Sequence, residues 1–174
     1  IDLIFNLCER INDSSLLEPH GAAILDIFQI PYTGSTALTL AFTMDKIRTK
    51  KILQYHEIPT AKFDYVFDSE EEVDHDLRYP LIVKPANTDN SIGITNDSVV
   101  TNEKELRIQL IKVIEETKRP ILIEEYIEGY ELDIGIIGNG ENIHVLPISK
   151  TIFDNLPKGY WGIYPFEAKY GTED

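Results

Sequence analysis

In the stretch PLIVKPANTDNSIGI, residues 80–94, a lysine interrupts a run that otherwise reads as a half-buried strand. Lys84 in that setting loses hydration and rotamer freedom, so it lies at an edge, snorkels to solvent, or is paired with negative charge. Lys46 is out of place as well. It follows Asp45, whose carboxylate can cap the helix DKIRTKKILQYHE, and so falls in a first turn where the macrodipole disfavours a cation. Either it is solvated or it faces an anion. In ILIEEY (121–126) a period of two puts Leu122, Glu124 and Tyr126 on one face and Ile121, Ile123 and Glu125 on the other. Past the Glu128-Gly129 turn, Glu131 and Asp133 share a face of the next strand. Each carboxylate alone is an ordinary surface group, but their grouping on both sides of a turn suggests a cleft at that hinge.

Several chemistries lack their signatures. There is no GxxxxGK[ST] and no GxGxxG between a strand and a helix; Gly138-Asn139-Gly140 lies between strands and reads as a hairpin turn. No His/Cys group has metal-site spacing, and no serine sits in a nucleophile elbow. The acidic run DSEEEVDHD (68–76) lacks the spacing and glycine of a calcium loop and is expected to be a solvated loop or exposed helix. The single Cys8 excludes an internal disulfide and fits a small buried hydrophobe in a reducing compartment. A net charge of −14 over 174 residues argues against nucleic acid, so any phosphate site is local, built from a few lysines and backbone N–H groups. No apolar run is long enough to cross a bilayer, and the expectation is a cytoplasmic protein without membrane partners. An opening at Ile1-Asp2 directly into a strand-like segment is expected of a piece of something longer.

The elements that must position these residues alternate. DLIFNL (2–7) reads as a short buried strand, and 18–29 as a helix with Ala22, Ile24, Leu25 and Phe28 inward. Helix signals run from Ser35 to Glu57 with a break near Asp45, and Pro59 separates them from a strand at 61–67. The strand holding Lys84 is followed by a polar loop and a short extended segment around Ile92 to Thr95. Asn102 with Glu105 resembles a capping box opening a helix whose core stripe is Leu106, Leu110, Val113 and Ile114. Strands are expected at 121–126, 131–137 and 142–149, the last two joined at Asn139-Gly140. The tail from Lys150 is aromatic and glycine-punctuated, a pattern common in functional loops.

Six segments in order, FNLCE (5–9), IPYTGS (30–35), MDKIRTK (44–50), LIVKPANTDNSIGI (81–94), ILIEEYIEGYELDIGII (121–137) and FEAKY (166–170), resemble the ATP-grasp ligases, within them the D-alanine:D-alanine ligase group. The resemblance implies an α/β fold, α+β in its ATP-grasp part. Residues 1–34 would end an open α/β N-terminal substrate domain. Residues 35–128 would form a central ATP-grasp subdomain with antiparallel sheet, helices and a phosphate flap, and 129–174 the truncated start of a second ATP-grasp subdomain.

It also implies ATP-dependent carboxylate–amine ligation through an acyl-phosphate, as in peptidoglycan synthesis. Lys46 and Lys84 would contact the α- and β-phosphates, and Asn90, Ser91 and Gly93 would lie in the small-residue flap over them. Glu124 would accept from the adenine amino group, with Glu125 and Ile127 offering backbone groups to the base edge and Glu131 holding the ribose. Lys169 would reach the γ-phosphate, and Tyr170 would order the amino-acid site. Mg²⁺ would be required, with its ligands outside this chain. Partners would be small molecules, ATP and an amino acid, and a homodimer is compatible with the group. One departure stands out: Asp89, Asn90 and Ser91 occupy the place of a glycine and two small residues, bringing negative charge toward the phosphates. Asp89 therefore also suits a non-catalytic nucleotide-binding regulatory or scaffold module. A ligase for another amino-acid or peptide substrate is the remaining alternative.

Overall fold

The computed structural model describes residues 1–89, 91–153 and 158–163. They form two units, residues 1–126 and Ile127–Ile163.

In the first unit the centre is a four-stranded antiparallel sheet of β1 (Phe63–Val66), β2 (Leu81–Pro85), β3 (Val99–Val100) and β4 (Ile121–Glu125), in the order β1-β4-β2-β3. Alternation sorts its side chains. Leu81, Val83, Ile121 and Ile123 point to one face and are buried against Leu106, Leu110 and Val113 of a long helix, Glu103–Thr117. Leu122, Phe63 and Tyr65 point to the other face, where Ile47 and Ala86 cover them. Hydrophobic burial on both faces of a central strand accounts for the nearly unbroken apolar run ILI in β4.

Four helices are numbered α1 (Glu18–Ile27), α2 (Ala37–Met44), α3 (Lys46–Tyr55) and α4 (Glu103–Thr117). The break expected near Asp45 is present: the Asp45 carboxylate caps α3, accepting from the Arg48 N–H at 3.0 Å. At α4, Asn102 accepts from the Glu105 N–H at 3.1 Å. The Glu105 side chain reaches one residue further back than a capping box requires, taking the N–H and hydroxyl of Thr101 at 2.7 and 2.8 Å.

Three local expectations fail. DLIFNL is not a strand: it makes one parallel bridge, Ile4 with Tyr32, and Leu3, Phe5 and Leu7 are exposed. In α1 only Ala22 of the expected stripe is buried, while Ile24 and Phe28 face outward, because no described layer covers that side of the helix. Around Ile92 the chain turns instead of extending. Ser91 and Gly93 take positive φ of 59° and 77°, and the Ile94 N–H donates to the Ser91 carbonyl at 3.0 Å.

The second unit is an interrupted hairpin. Its strands β5 (Leu132–Asp133) and β8 (Ser149–Lys150) pair, as do β6 (Ile136–Ile137) and β7 (His144–Val145), all antiparallel. The Asn139-Gly140 turn forms as expected, with Gly138 and Gly140 at φ of 103° and 55°. The two longer strands expected here are each split, and Pro147, which has no N–H to donate, lies in the gap between β7 and β8.

Candidate functional site

Helix α3 enters at the loop end of β2, with the Lys46 N–H donating to the Ala86 carbonyl at 3.1 Å. This contact places Lys46 and Lys50, one turn apart, against the face of the sheet that carries Lys84 and Glu124. Across β2 and β4, Lys84 lies opposite Leu122, so Glu124 is its diagonal neighbour on the same face. The Lys84 ammonium donates to Glu124 Oε1, and Lys50 Nζ binds Oε2 at 2.8 Å. Lys50 also donates to Thr60 Oγ1 at 2.7 Å and lies 4.9 Å from the Phe63 ring centre. Thus one carboxylate joins two lysines, and the puzzle of a cation in a buried strand resolves into an ion pair on a covered face.

Lys46, Lys50 and Lys84 gather around Glu124, with Asp89 and Asp45 also acting on Lys46. The Lys46 ammonium is anchored by the Thr88 carbonyl, and burial, reinforced by the charge of Lys84, pulls its pKa down from 10.5 to about 8. Asp89, Glu124 and Asp45 oppose that fall without cancelling it. Burial alone would raise the Glu124 carboxyl, but the two lysines hold it below the usual carboxylate range. A largely desolvated ammonium such as Lys46, with Lys84 beside it, gains from an incoming anion.

Beside it the loop after β2 folds over Pro85. A Cβ added at Gly93 would meet Pro85 Cγ at 2.8 Å, so the close approach requires glycine. The Thr88 hydroxyl donates to the Ile92 carbonyl at 3.2 Å, and the Ile92 N–H to the Asp89 carbonyl at 3.1 Å. A cavity of about 170 Å³ opens between this loop and the helices, lined by Glu18, Leu40, Thr43, Met44, Lys46, Thr88 and Asp89. The Glu18 carboxyl is raised there by burial and then by Asp89 and Glu9. Asp89 is a counter-ion of Lys46 as well as a negative charge in the loop.

Of the residues singled out in the sequence, Lys46, Lys84 and Glu124 converge, with Ser91 and Gly93 in the adjoining loop. Glu125 turns to the opposite face, where its carboxylate takes the Arg78 N–H at 3.0 Å and guanidinium Nε at 3.3 Å. Its own N–H is taken by the Lys62 carbonyl at 2.9 Å, so any backbone contact it makes to a ligand falls to its carbonyl. Ile127 and Glu131 belong to the second unit; both are exposed, and the Glu131 carbonyl accepts from the Thr151 N–H at 3.0 Å. Asn90, Lys169 and Tyr170 lie outside the described residues. Lys50 was missed, although its spacing from Lys46 on α3 was the available signal. Among the described residues, no group of three or more His, Cys, Asp or Glu side chains is arranged to hold a metal ion.

Residues 51–174 match the family described as the D-ala D-ala ligase C-terminus. A D-alanine–D-alanine ligase of Ralstonia nicotianae is 37% identical over 153 residues, covering 87% of this chain and 43% of the relative. The uncharacterized protein y4sG of Sinorhizobium fredii is 34% identical over 168 residues, covering 97% of this chain and 47% of its own length. The chain thus spans somewhat less than half the length of these two relatives. Among solved structures, the D-alanine–D-alanine ligase of Bacillus anthracis complexed with ATP matches with a TM-score of 0.58 and 31% identity, over 75% of this chain and 42% of that one.

Proposed function

Because the chain belongs to the D-Ala-D-Ala ligase family, with the mixed α/β architecture of its ATP-grasp members, we propose that it is the nucleotide-binding portion of an ATP-dependent carboxylate–amine ligase. The observation that carries this reading is the half-buried Glu124 carboxylate joining Lys50 and Lys84, with Lys46 on the same helix turned to the adjoining loop, whose glycine is sterically required.

On this reading residues 1–34 close the N-terminal substrate domain, 35–128 form the central subdomain with the flap, and 129–174 begin the second subdomain. Lys46 and Lys84 hold the α- and β-phosphates, and the loop through Asn90, Ser91 and Gly93 closes over them. Glu124, together with backbone groups of Glu125 and Ile127, receives the adenine, and Glu131 the ribose. Lys169 and Tyr170 serve the γ-phosphate and the amino-acid site.

Phosphoryl transfer to the carboxylate spreads negative charge over the moving group. Ammonium groups that have engaged the phosphates before transfer stabilise that charge in a covered site. The amine then attacks the acyl carbon of the resulting acyl-phosphate, the C–N bond forms as the C–O bond to phosphate breaks, and inorganic phosphate leaves as the amine gives up a proton. Mg²⁺, which the family resemblance implies, would neutralise phosphate charge when bound; the described residues hold no group arranged for it, and no step is derived through it. A cytoplasmic location and a role in peptidoglycan synthesis belong to the same proposal, supported by the relatives' printed activity.

The test is phosphate release from ATP by the complete protein with and without D-alanine. Release that requires the amino acid is expected. Nucleotide binding with no release under any amino acid would support the regulatory module instead, the reading that Asp89 beside Lys46 favours.

A further inference from the structure

Lys50 is buried, 7% exposed, where Lys46 and Lys84 are only half-buried. Its charge is directed to one place: Glu124 at 2.8 Å, with Thr60 Oγ1 at 2.7 Å and the Phe63 ring fixing the ammonium from other sides. Resting on the reading of Lys84 as a phosphate ligand, we propose that Lys50 is a positioning residue that keeps Glu124 paired and thereby frees Lys84 to leave that carboxylate for an incoming polyphosphate.

Glu124 has two carboxylate oxygens, one on Lys84 and one on Lys50. If Lys84 were its sole partner, moving that ammonium to a phosphate would leave a bare carboxylate on a covered sheet face, and breaking a buried pair in this way is strongly unfavourable. With Lys50 in place the carboxylate never loses its counter-charge. Lys84 is then available to an incoming anion without stripping Glu124 of its counter-charge. The geometry also explains why Lys50 has two further contacts and Lys84 is the more exposed of the two, with side chains 9% and 18% accessible. The partner that stays is held on three sides, and the partner that leaves is nearer solvent.

The test uses inorganic tripolyphosphate, which has no base and so reads the lysines apart from any adenine contact of Glu124. Its affinity is measured by calorimetry on the complete protein as wild type, Lys84→Ala, Lys50→Met, Lys50→Arg, Glu124→Gln and the Lys50→Met/Glu124→Gln double variant. Lys50→Met is expected to weaken binding at least tenfold, Lys50→Arg to stay within threefold of wild type, and the Lys50→Met loss to shrink below threefold when Glu124 is Gln. Lys50→Met binding like wild type overturns the proposal. So does an equal loss with Met and Arg, or a loss that persists undiminished in the Glu124→Gln background, since both mark a packing role; melting temperatures of the variants identify any that fail to fold, and the Lys50→Arg arm then decides. A wild type that does not bind, or Lys84→Ala binding like wild type, instead overturns the phosphate reading on which the proposal rests.

Discussion

The depressed pKa of Lys46 makes a quantitative claim about stability. The value is about 8 in the folded protein against an ordinary 10.5, with burial the main cause and Lys84 the second. Below pH 8 the lysine is charged in both folded and unfolded states, and the fold carries the whole penalty. Between pH 8 and 10.5 the unfolded chain binds more protons than the folded one, so stability rises with pH until the penalty is gone. At about 1.4 kcal/mol per pH unit the gap corresponds to at most about 3.5 kcal/mol, and relaxation and solvent around a half-buried ammonium reduce it. Lys46→Met removes the ammonium while keeping much of the stem. At pH 7 the variant should therefore be more stable than wild type by about 1 to 3 kcal/mol, the advantage falling towards zero near pH 10. Urea melts of both proteins at pH 7, 8, 9 and 10 measure the difference. A variant no more stable at pH 7, or an advantage that does not change with pH, would refute the electrostatic account. The same lysine links binding to protons: wild-type affinity for ATP should fall as pH rises through 8, and Lys46→Met should flatten that profile.

Other substitutions probe the frame. Gly93→Ala, with a positive φ of 77° and a Cβ that would meet Pro85 Cγ at 2.8 Å, should weaken ATP binding in calorimetry and cost about 1–3 kcal/mol in urea melts. Leu110→Ala, at a position fully buried between α4 and the sheet, should cost about 2–5 kcal/mol, measured the same way. Asp45→Ala removes the cap at the Arg48 N–H and should cost about 1 kcal/mol.

The parts of the fold legible in the sequence are those where local chemistry and burial agree. Helix α4 combines a cap at Asn102 with a stripe at Leu106, Leu110 and Val113, and both are realised. Asp45 marks the break between α2 and α3 because its carboxylate caps α3 at the Arg48 N–H. Periodicity sorted β4 correctly, since both faces are covered by different layers. It misled at residues 2–7 and in α1, where apolar residues alternate or recur without a described partner layer. In the site, Lys46 and Lys84 stood out because each contradicts its local setting. Lys50 did not stand out, because a lysine in the polar helix KIRTKKILQY contradicts nothing until the sheet beneath it is known. Asp89 read as a charge against phosphate; its proximity to Lys46 and Glu18 is a tertiary fact that no local pattern carries.

The most direct test of the central claim is ATP titration of the complete protein and its Lys84→Ala variant by calorimetry at pH 7. The account predicts saturable binding by the wild type, weakened at least tenfold in the variant. Equal affinity in the two proteins would contradict it.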